Sequence, residues 1–376
     1  MDVKSTWRNT PLHFAVRGGH ESTVRLLLDR GADLDVKSWD EDTLLHHEAS
    51  SGGDATVRLL LENGAAMDVK DKAKDTPLHR AAAAGHEATV RLLLDSGAEM
   101  GAKNSTEDTP LHLTANGGHE ATVQLLLDRG ADMGVMDFTK DTPLHLAANG
   151  GHEATVRLLL ERGAEMGAIC WGRNTPLHLA ANRGHEATVR LLLDRGAEMG
   201  AKNSTEDTPL HIAANEGHDA TVRLLLDHGA EMGATCWGGN TPLHLAAKGG
   251  HEATVRLLLD RGAEMGATCW GRNTPLHLAV KGGHEATVRL LLDRGAEMGA
   301  KNSTEDTPLH LAANGGNEAT VQLLLDRRSE VDVMNAEGKT PLHVAREHRR
   351  LATVPLLQKQ LTLQGRLFSH IRTPPF

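Results

Sequence analysis

The chain has 376 residues, a formal charge of −10, three cysteines, 2% aromatic residues and no Tyr. Acids and bases alternate, so the concentrated basic face that nucleic-acid binding needs is missing. No apolar run approaches the ~20 residues that span a bilayer, and Met1-Asp2-Val3-Lys4 is no signal peptide. The odd cysteine count argues against a disulfide framework and for a reducing, intracellular home, cytoplasmic or alternatively nuclear.

The tetrapeptide T-P-L-H begins at Thr10, Thr76, Thr109, Thr142, Thr175, Thr208, Thr241, Thr274, Thr307 and Thr340, and a variant, T-L-L-H, at Thr43. Every step is 33 residues, which makes eleven copies in register. In the copy from Thr142 to Asn174, Thr142 reads as an N-cap and Pro143 as a first-turn residue that needs no N–H. Leu144, Ala147 and Ala148 share one face of a short helix, where small Ala admits a close neighbour. Gly150-Gly151 ends it. A second helix from about Glu153 buries Val156, Leu159 and Leu160 and turns Arg157 and Glu161 to water. Gly163 stops that helix, and the stretch up to the next Thr reads as a protruding loop. Such a unit cannot bury its own apolar face, so it must stack on its neighbours.

Period, T-P-L-H, G-H, V-x-L-L-L and G-A-[DE] recur together over residues 1–358, and the unit resembles the ankyrin repeat. The resemblance implies an all-α solenoid of stacked helix-turn-helix units with projecting, hairpin-like finger loops. It also implies a non-catalytic scaffold or adaptor, monomeric, without cofactor or metal. Such a protein recognises partner proteins through its fingertips and the concave face of its inner helices. The alternative is the targeting or substrate-recruiting arm of an enzyme or ubiquitin-ligase-type complex.

Departures from the repeat carry further expectations. Among the fingers, Gly stands two residues before the Thr only at Gly239 and Gly338. Residues such as Glu107, Lys140 and Arg173 hold the place elsewhere, so irregular turns are expected. Repeat two has Leu44 for Pro and reads Gly53-Asp54 for Gly-His. Arg328-Ser329 replaces Gly-Ala, and the last repeat has Arg349-Arg350 for Gly-His and Pro355 inside its second helix, where Pro is costly. Residues 359–376 form a basic tail with Lys359, Arg366 and Arg372. Its Leu361, Leu363, Leu367, Phe368 and Ile371 either cover the end of the stack or fray.

The 23 His residues invite a metal reading. Equivalent His residues on adjacent units lie ~8–10 Å apart, too far to share a zinc ion with ligands at about 2.0–2.3 Å, so hydrogen bonding to neighbouring backbone is the better reading. His152-Glu153-Ala154-Thr155-Val156 lacks the second His of a zinc-protease helix, and Gly338-Lys339-Thr340 lacks the first Gly of a phosphate loop. Cys170, Cys236 and Cys269 occupy equivalent finger positions, one repeat or more apart, and are expected to be free and fairly accessible.

The candidate partner-binding residues are mostly finger rings: Trp7, Trp39, Phe138, Trp171, Trp237 and Trp270, with Arg173 and Arg272 two residues beyond their Trp. Trp171, Trp237 and Trp270, with the two Arg, are read as one patch spanning repeats six to nine. The competing reading folds each ring onto the next finger as filler. The inner-helix ends, Arg183, Glu216, Lys248 and Lys281 with Arg17 and Glu347, would line the concave face as secondary contacts.

Overall fold

The structure is a computed structural model that describes residues 9–34 and 36–371, with side chains through residue 363. The described residues are helical, without strand. They group into two compact units, Met1–Ala180 with Ala187–Glu198, and Ala181–Glu186 with Met199–Phe376. In the first unit, inner helices such as Pro77–Ala84, Pro110–Gly117 and Pro143–Gly150 pack side by side. Outer helices such as Glu87–Asp95, Glu120–Asp128 and Glu153–Glu161 form the second layer. The second unit repeats the plan, with Pro209–Glu216, Pro242–Gly249 and Pro275–Gly282 inside and Asp219–Asp227, Glu252–Asp260 and Glu285–Asp293 outside.

Helices of 8 and 9 residues are marginal alone, so the stacking supplies their stability. Leu144, Ala147, Ala148, Val156 and Leu159 are fully buried between layers. Leu158 is buried as well, whereas Leu160, expected in the core stripe, is only half-buried.

The His of T-P-L-H ties one repeat to the next. The Thr142 N–H donates to His145 Nδ1 at 3.2 Å, and the Thr142 hydroxyl lies 2.9 Å from the same nitrogen. A backbone N–H can only donate, so Nδ1 accepts and the ring proton sits on Nε2. Nε2 then donates to the Asn174 carbonyl in the following finger at 3.1 Å. The same forward bond joins His79 to Asp108, His112 to Asp141, His211 to Asn240 and His244 to Asn273.

The His of G-H bonds backward. His152 Nε2 donates to the Asn116 carbonyl at the end of the preceding inner helix, 2.8 Å away, and His251 to Asn215 at 2.7 Å. Each such ring lies over the C-cap glycine of the previous repeat. That glycine is left-handed, as at Gly118 with φ 69°, and a Cβ there would stand 2.4 Å from His152 Nδ1. Conformation and space therefore both demand Gly at this position.

Several expectations about the irregular repeats change. In repeat two the left-handed cap is Gly52, so the residue in the His place is Gly53 and Asp54 stands where Glu does elsewhere. The vacant ring space takes the buried Glu48 carboxylate, which a Cβ on Gly53 would meet at 2.1 Å. In the last repeat Arg350 replaces the His functionally: its Nε donates to the Asn314 carbonyl at 2.7 Å, and its side chain covers Gly316. Pro355 does lie inside the second helix, but in its first turn, where it costs little. The helix Thr353–Ile371 begins two residues before it, where no intrahelical N–H is required.

Candidate partner-binding surface

Each finger is a tight turn whose penultimate residue is left-handed, whether or not it is glycine. Glu107 (φ 63°), Lys140 (φ 62°), Arg173 (φ 58°) and Arg272 (φ 56°) adopt the conformation of Gly239 and Gly338. The irregular turns expected from the missing glycines are therefore not found. Two devices hold the turn. In polar fingers an Asx acceptor organises it: Asn104 Oδ1 accepts from the Thr106 and Asp108 N–H groups, both at 3.0 Å. In the fingers carrying W-G the acceptor is replaced by Cys, and two successive left-handed residues make the turn instead. These pairs are Gly172-Arg173, Gly238-Gly239 and Gly271-Arg272.

The ring that follows the acceptor position is exposed in both kinds of finger. Trp171, Trp237 and Trp270 are 54%, 69% and 66% exposed. Trp39 and Phe138 are also exposed, and Trp7 lies outside the described residues. The rings nevertheless touch across fingers. Phe138 and Trp171 meet edge-to-face at 5.1 Å in the first unit, and Trp237 and Trp270 at 5.7 Å in the second. A backbone bond underlies each pair, from Trp171 N–H to Thr139 at 2.9 Å and from Trp270 N–H to Gly238 at 2.7 Å. Trp39 pairs instead with a cation, Lys72 Nζ lying 5.2 Å from the ring centroid. The rings are thus both finger-to-finger contacts and exposed surface. Edge-to-face pairing is worth about 0.5–1.5 kcal/mol beyond burial.

The two ring pairs differ in the acids around them. Beside Phe138 is a groove of about 240 Å³, lined by Leu113 and Leu146 together with Asp108 and Asp137. Beside Trp237 the acid of the preceding finger remains, Asp207 acting on the Cys236 thiol, but Cys236 stands where the Phe138 finger has Asp137. Residues 232–251 and 265–284, each a finger with its inner helix, contain Lys248, Arg272 and Lys281 but neither Asp nor Glu. Lys248 and Lys281 occupy the last turns of Pro242–Gly249 and Pro275–Gly282, and all three cations are exposed. Glu216 and Arg183, the other inner-helix ends, are exposed too, Glu216 accepting from Asn215 Nδ2 at 2.8 Å.

Cys170, Cys236 and Cys269 are free, but Cys170 and Cys236 are buried, against the expectation of accessible thiols. Burial and the acid behind them push the Cys170 thiol up to about 12 and the Cys236 thiol to about 11. The thiol takes over a donor role. It donates to the Trp171 carbonyl at 3.4 Å and faces Asp141, where Asn104 Nδ2 in a polar finger donates to Asp75 Oδ1 at 2.9 Å. Asp141, His145 and Cys170 bring three potential ligand atoms within 4.8 Å of one another. A soft metal needs a thiolate and a free imidazole nitrogen. Here the thiol is protonated, and both His145 nitrogens are engaged by Thr142 and Asn174. The cluster is therefore the hydrogen-bonded base of a finger.

The repeat geometry agrees with comparison to known families. The family model described as ankyrin repeats, three copies to a match, covers residues 12–104, 45–137, 78–170, 111–203, 169–236, 232–302 and 276–364. The chain belongs to the ankyrin-repeat family. Among solved structures it is similar to the human ASB11 ankyrin repeat domain, with 28% identity and a TM-score of 0.55 over 59% of this chain and 99% of that one. No curated protein matched the chain. No helix among the described residues is long and apolar enough to cross a membrane. Ankyrin repeats are generally protein-interaction scaffolds, and an ankyrin surface of this kind presents fingertips and inner-helix ends in register.

Proposed function

We propose that this ankyrin-repeat protein is a non-catalytic scaffold or adaptor that holds partner proteins on its fingertips and inner-helix ends. One observation carries the reading: an aromatic-poor chain leaves Trp171, Trp237 and Trp270 more than half exposed on rigid turns. Exposed Trp beside Arg is the composition of an interaction hot spot, and apolar surface kept in water without a partner is a liability. The buried His residues serve repeat stacking, and the buried thiols are protonated, which leaves no activated nucleophile among these groups.

The test is the triple Trp→Ala variant at 171, 237 and 270, followed by affinity capture with mass spectrometry and by thermal unfolding. Loss of captured partners with an almost unchanged melting temperature is expected. Full capture with a clear drop in melting temperature would make the rings filler between fingers.

A further inference from the structure

We infer that the Trp237–Trp270 pair, with Lys248, Arg272 and Lys281, is a docking surface for an acidic, extended segment of a partner protein. This rests on the scaffold reading and narrows it to one surface and one chemistry.

Three observations carry it. The first is the aromatic pair itself. Its rings meet edge-to-face at 5.7 Å and are the most exposed Trp among the described residues. An edge-to-face pair leaves an open ring face on which an extended chain can lie, and the backbone beneath is fixed by the Trp270 N–H to Gly238 bond.

The second is charge left uncompensated. The outer-helix arginines of the same repeats are paired, Arg256 with Glu252 at 2.6 Å, Arg261 with Asp227 at 2.8 Å and Arg289 with Glu285 at 2.7 Å. In the polar finger that follows, Lys301 pairs with Glu305 at 2.9 Å. Among the ion pairs of the described residues none includes Lys248, Arg272 or Lys281, and neither segment that holds them contains an acid. Arg272 ends the turn that begins at Trp270, and Lys248 and Lys281 close the inner helices Pro242–Gly249 and Pro275–Gly282 that the two Trp fingers lead into. In a chain of net charge −10, a locally unopposed basic surface attracts acids from a partner, and carboxylates in that setting make charge-assisted bonds.

The third is contrast. The Phe138–Trp171 pair has similar ring geometry, yet its groove is lined by Asp108 and Asp137. It is a built-in control with more acid beside its rings. Nucleic acid is the lesser fit, since three cations make a short track and Glu216 and Glu305 stand in the flanking repeats.

The experiment pans random dodecapeptides displayed on phage against the full chain. The best synthetic peptide is then titrated against three variants: Lys248→Glu/Arg272→Glu/Lys281→Glu, Trp237→Ala/Trp270→Ala, and Phe138→Ala/Trp171→Ala. Selected peptides should be enriched in Asp and Glu. Binding should fall about tenfold or more with either of the first two variants and hold with the third. The charge-reversed chain, which keeps every ring, should select basic peptides. That arm stays decisive if loss of the Trp pair lowers stability. The inference is overturned by no selected peptide, no acidic bias, equal loss from the Phe138/Trp171 variant, or displacement of the peptide by an equimolar oligothymidylate. Partner capture that survives the charge reversal would leave the scaffold reading intact while removing this one.

Discussion

The Thr89 hydroxyl donates to Asp54 Oδ1, 2.5 Å away in the preceding repeat. Thr254 makes the same bond to Asp219. These two Asp residues stand where the other repeats carry Glu, the last with Leu351 excepted. After Glu, the equivalent Thr hydroxyl is buried without a partner at Thr122, Thr155, Thr188, Thr221, Thr287 and Thr320, while Thr56 and Thr353 find other acceptors, Glu48 and the Arg350 carbonyl. The shorter acid puts its oxygen within reach of the hydroxyl, and the longer one carries it past.

A one-methylene deletion should therefore stabilise the array. Glu120 precedes the unpartnered Thr155 and is followed four residues on by Gln124, so the change costs no i,i+4 ion pair there. Glu120→Asp should raise stability by about 1 kcal/mol, the usual net value of a hydrogen bond. Adding Thr155→Val should abolish the gain. Urea midpoints of the single and double variants decide it, and an unchanged midpoint for Glu120→Asp would refute the pairing rule.

The finger turns predict a second gain. Lys140 is held at φ 62° and makes no ion pair. Non-glycine residues in this region cost about 1–2 kcal/mol, part of which returns as glycine's entropy in the unfolded chain. Lys140→Gly should stabilise by about 0.5–1 kcal/mol, and Gly338→Ala, at φ 71°, should destabilise by at least as much. Denaturant midpoints that move the other way would mean the turn is not left-handed in solution.

Stability should fall with acid through the buried imidazoles. Burial, the largest cause, depresses His46, His79, His112, His145, His211, His277 and His310, and takes His244 down to about 4. A depressed folded pKa means the unfolded chain binds more protons, so the contribution is complete above the ordinary value of about 6.5 and is lost as pH falls toward 4. Protonation also places a second donor at Nδ1, facing the Thr N–H. Denaturant titrations at pH 7.5, 5.5 and 4.5 should show falling midpoints, about evenly shared among the repeats.

Glu48 carries the opposite sign. Burial raises its carboxyl to about 7, partly opposed by its bond to Thr56. A raised folded pKa favours folding while the group is protonated and loses that advantage as pH climbs from about 4.5 through 7. Glu48→Gln should stabilise repeat two by on the order of 1–3 kcal/mol at pH 8 and by little at pH 4. A gain independent of pH would assign the effect to packing instead.

Thiol reactivity separates the three cysteines. Cys269 should react with a soluble disulfide reagent well before Cys170 and Cys236, whose thiols are buried and held protonated at neutral pH. Three equally fast thiols would contradict the finger geometry.

The helices, the stacking and the location of the rings were legible from spacing alone, because a 33-residue period repeats every cap and every apolar stripe. What spacing hid was substitution of one chemistry by another. Arg350 reads as a lost His, yet it reaches the same carbonyl. Glu107 and Lys140 read as broken turns, yet Asx bonds from Asn104 and Asp137 impose the turn regardless. Gly53 was misaligned by one position because Glu48, rather than a neighbour in sequence, fills the missing ring space. The pairing of Phe138 with Trp171 and Trp237 with Trp270, two by two, also needs coordinates, since the sequence shows only that the rings share a loop position.

The forward bonds of one His and the backward bonds of the other make array length an inheritable variable. If residues 109–141 were excised, His79 would keep the carbonyl of Asp108, and His152 would meet that of Ala83 in place of Asn116. Trp171 N–H would find Thr106 where Thr139 had been. Unequal recombination between neighbouring copies would thus join like to like and leave every junction sound, whereas a slip of a single codon would misplace both bonds that cross the junction. Such a gene can gain or shed whole repeats and shuffle its aromatic and acidic fingers, with folding tolerating each new order and only the partner noticing.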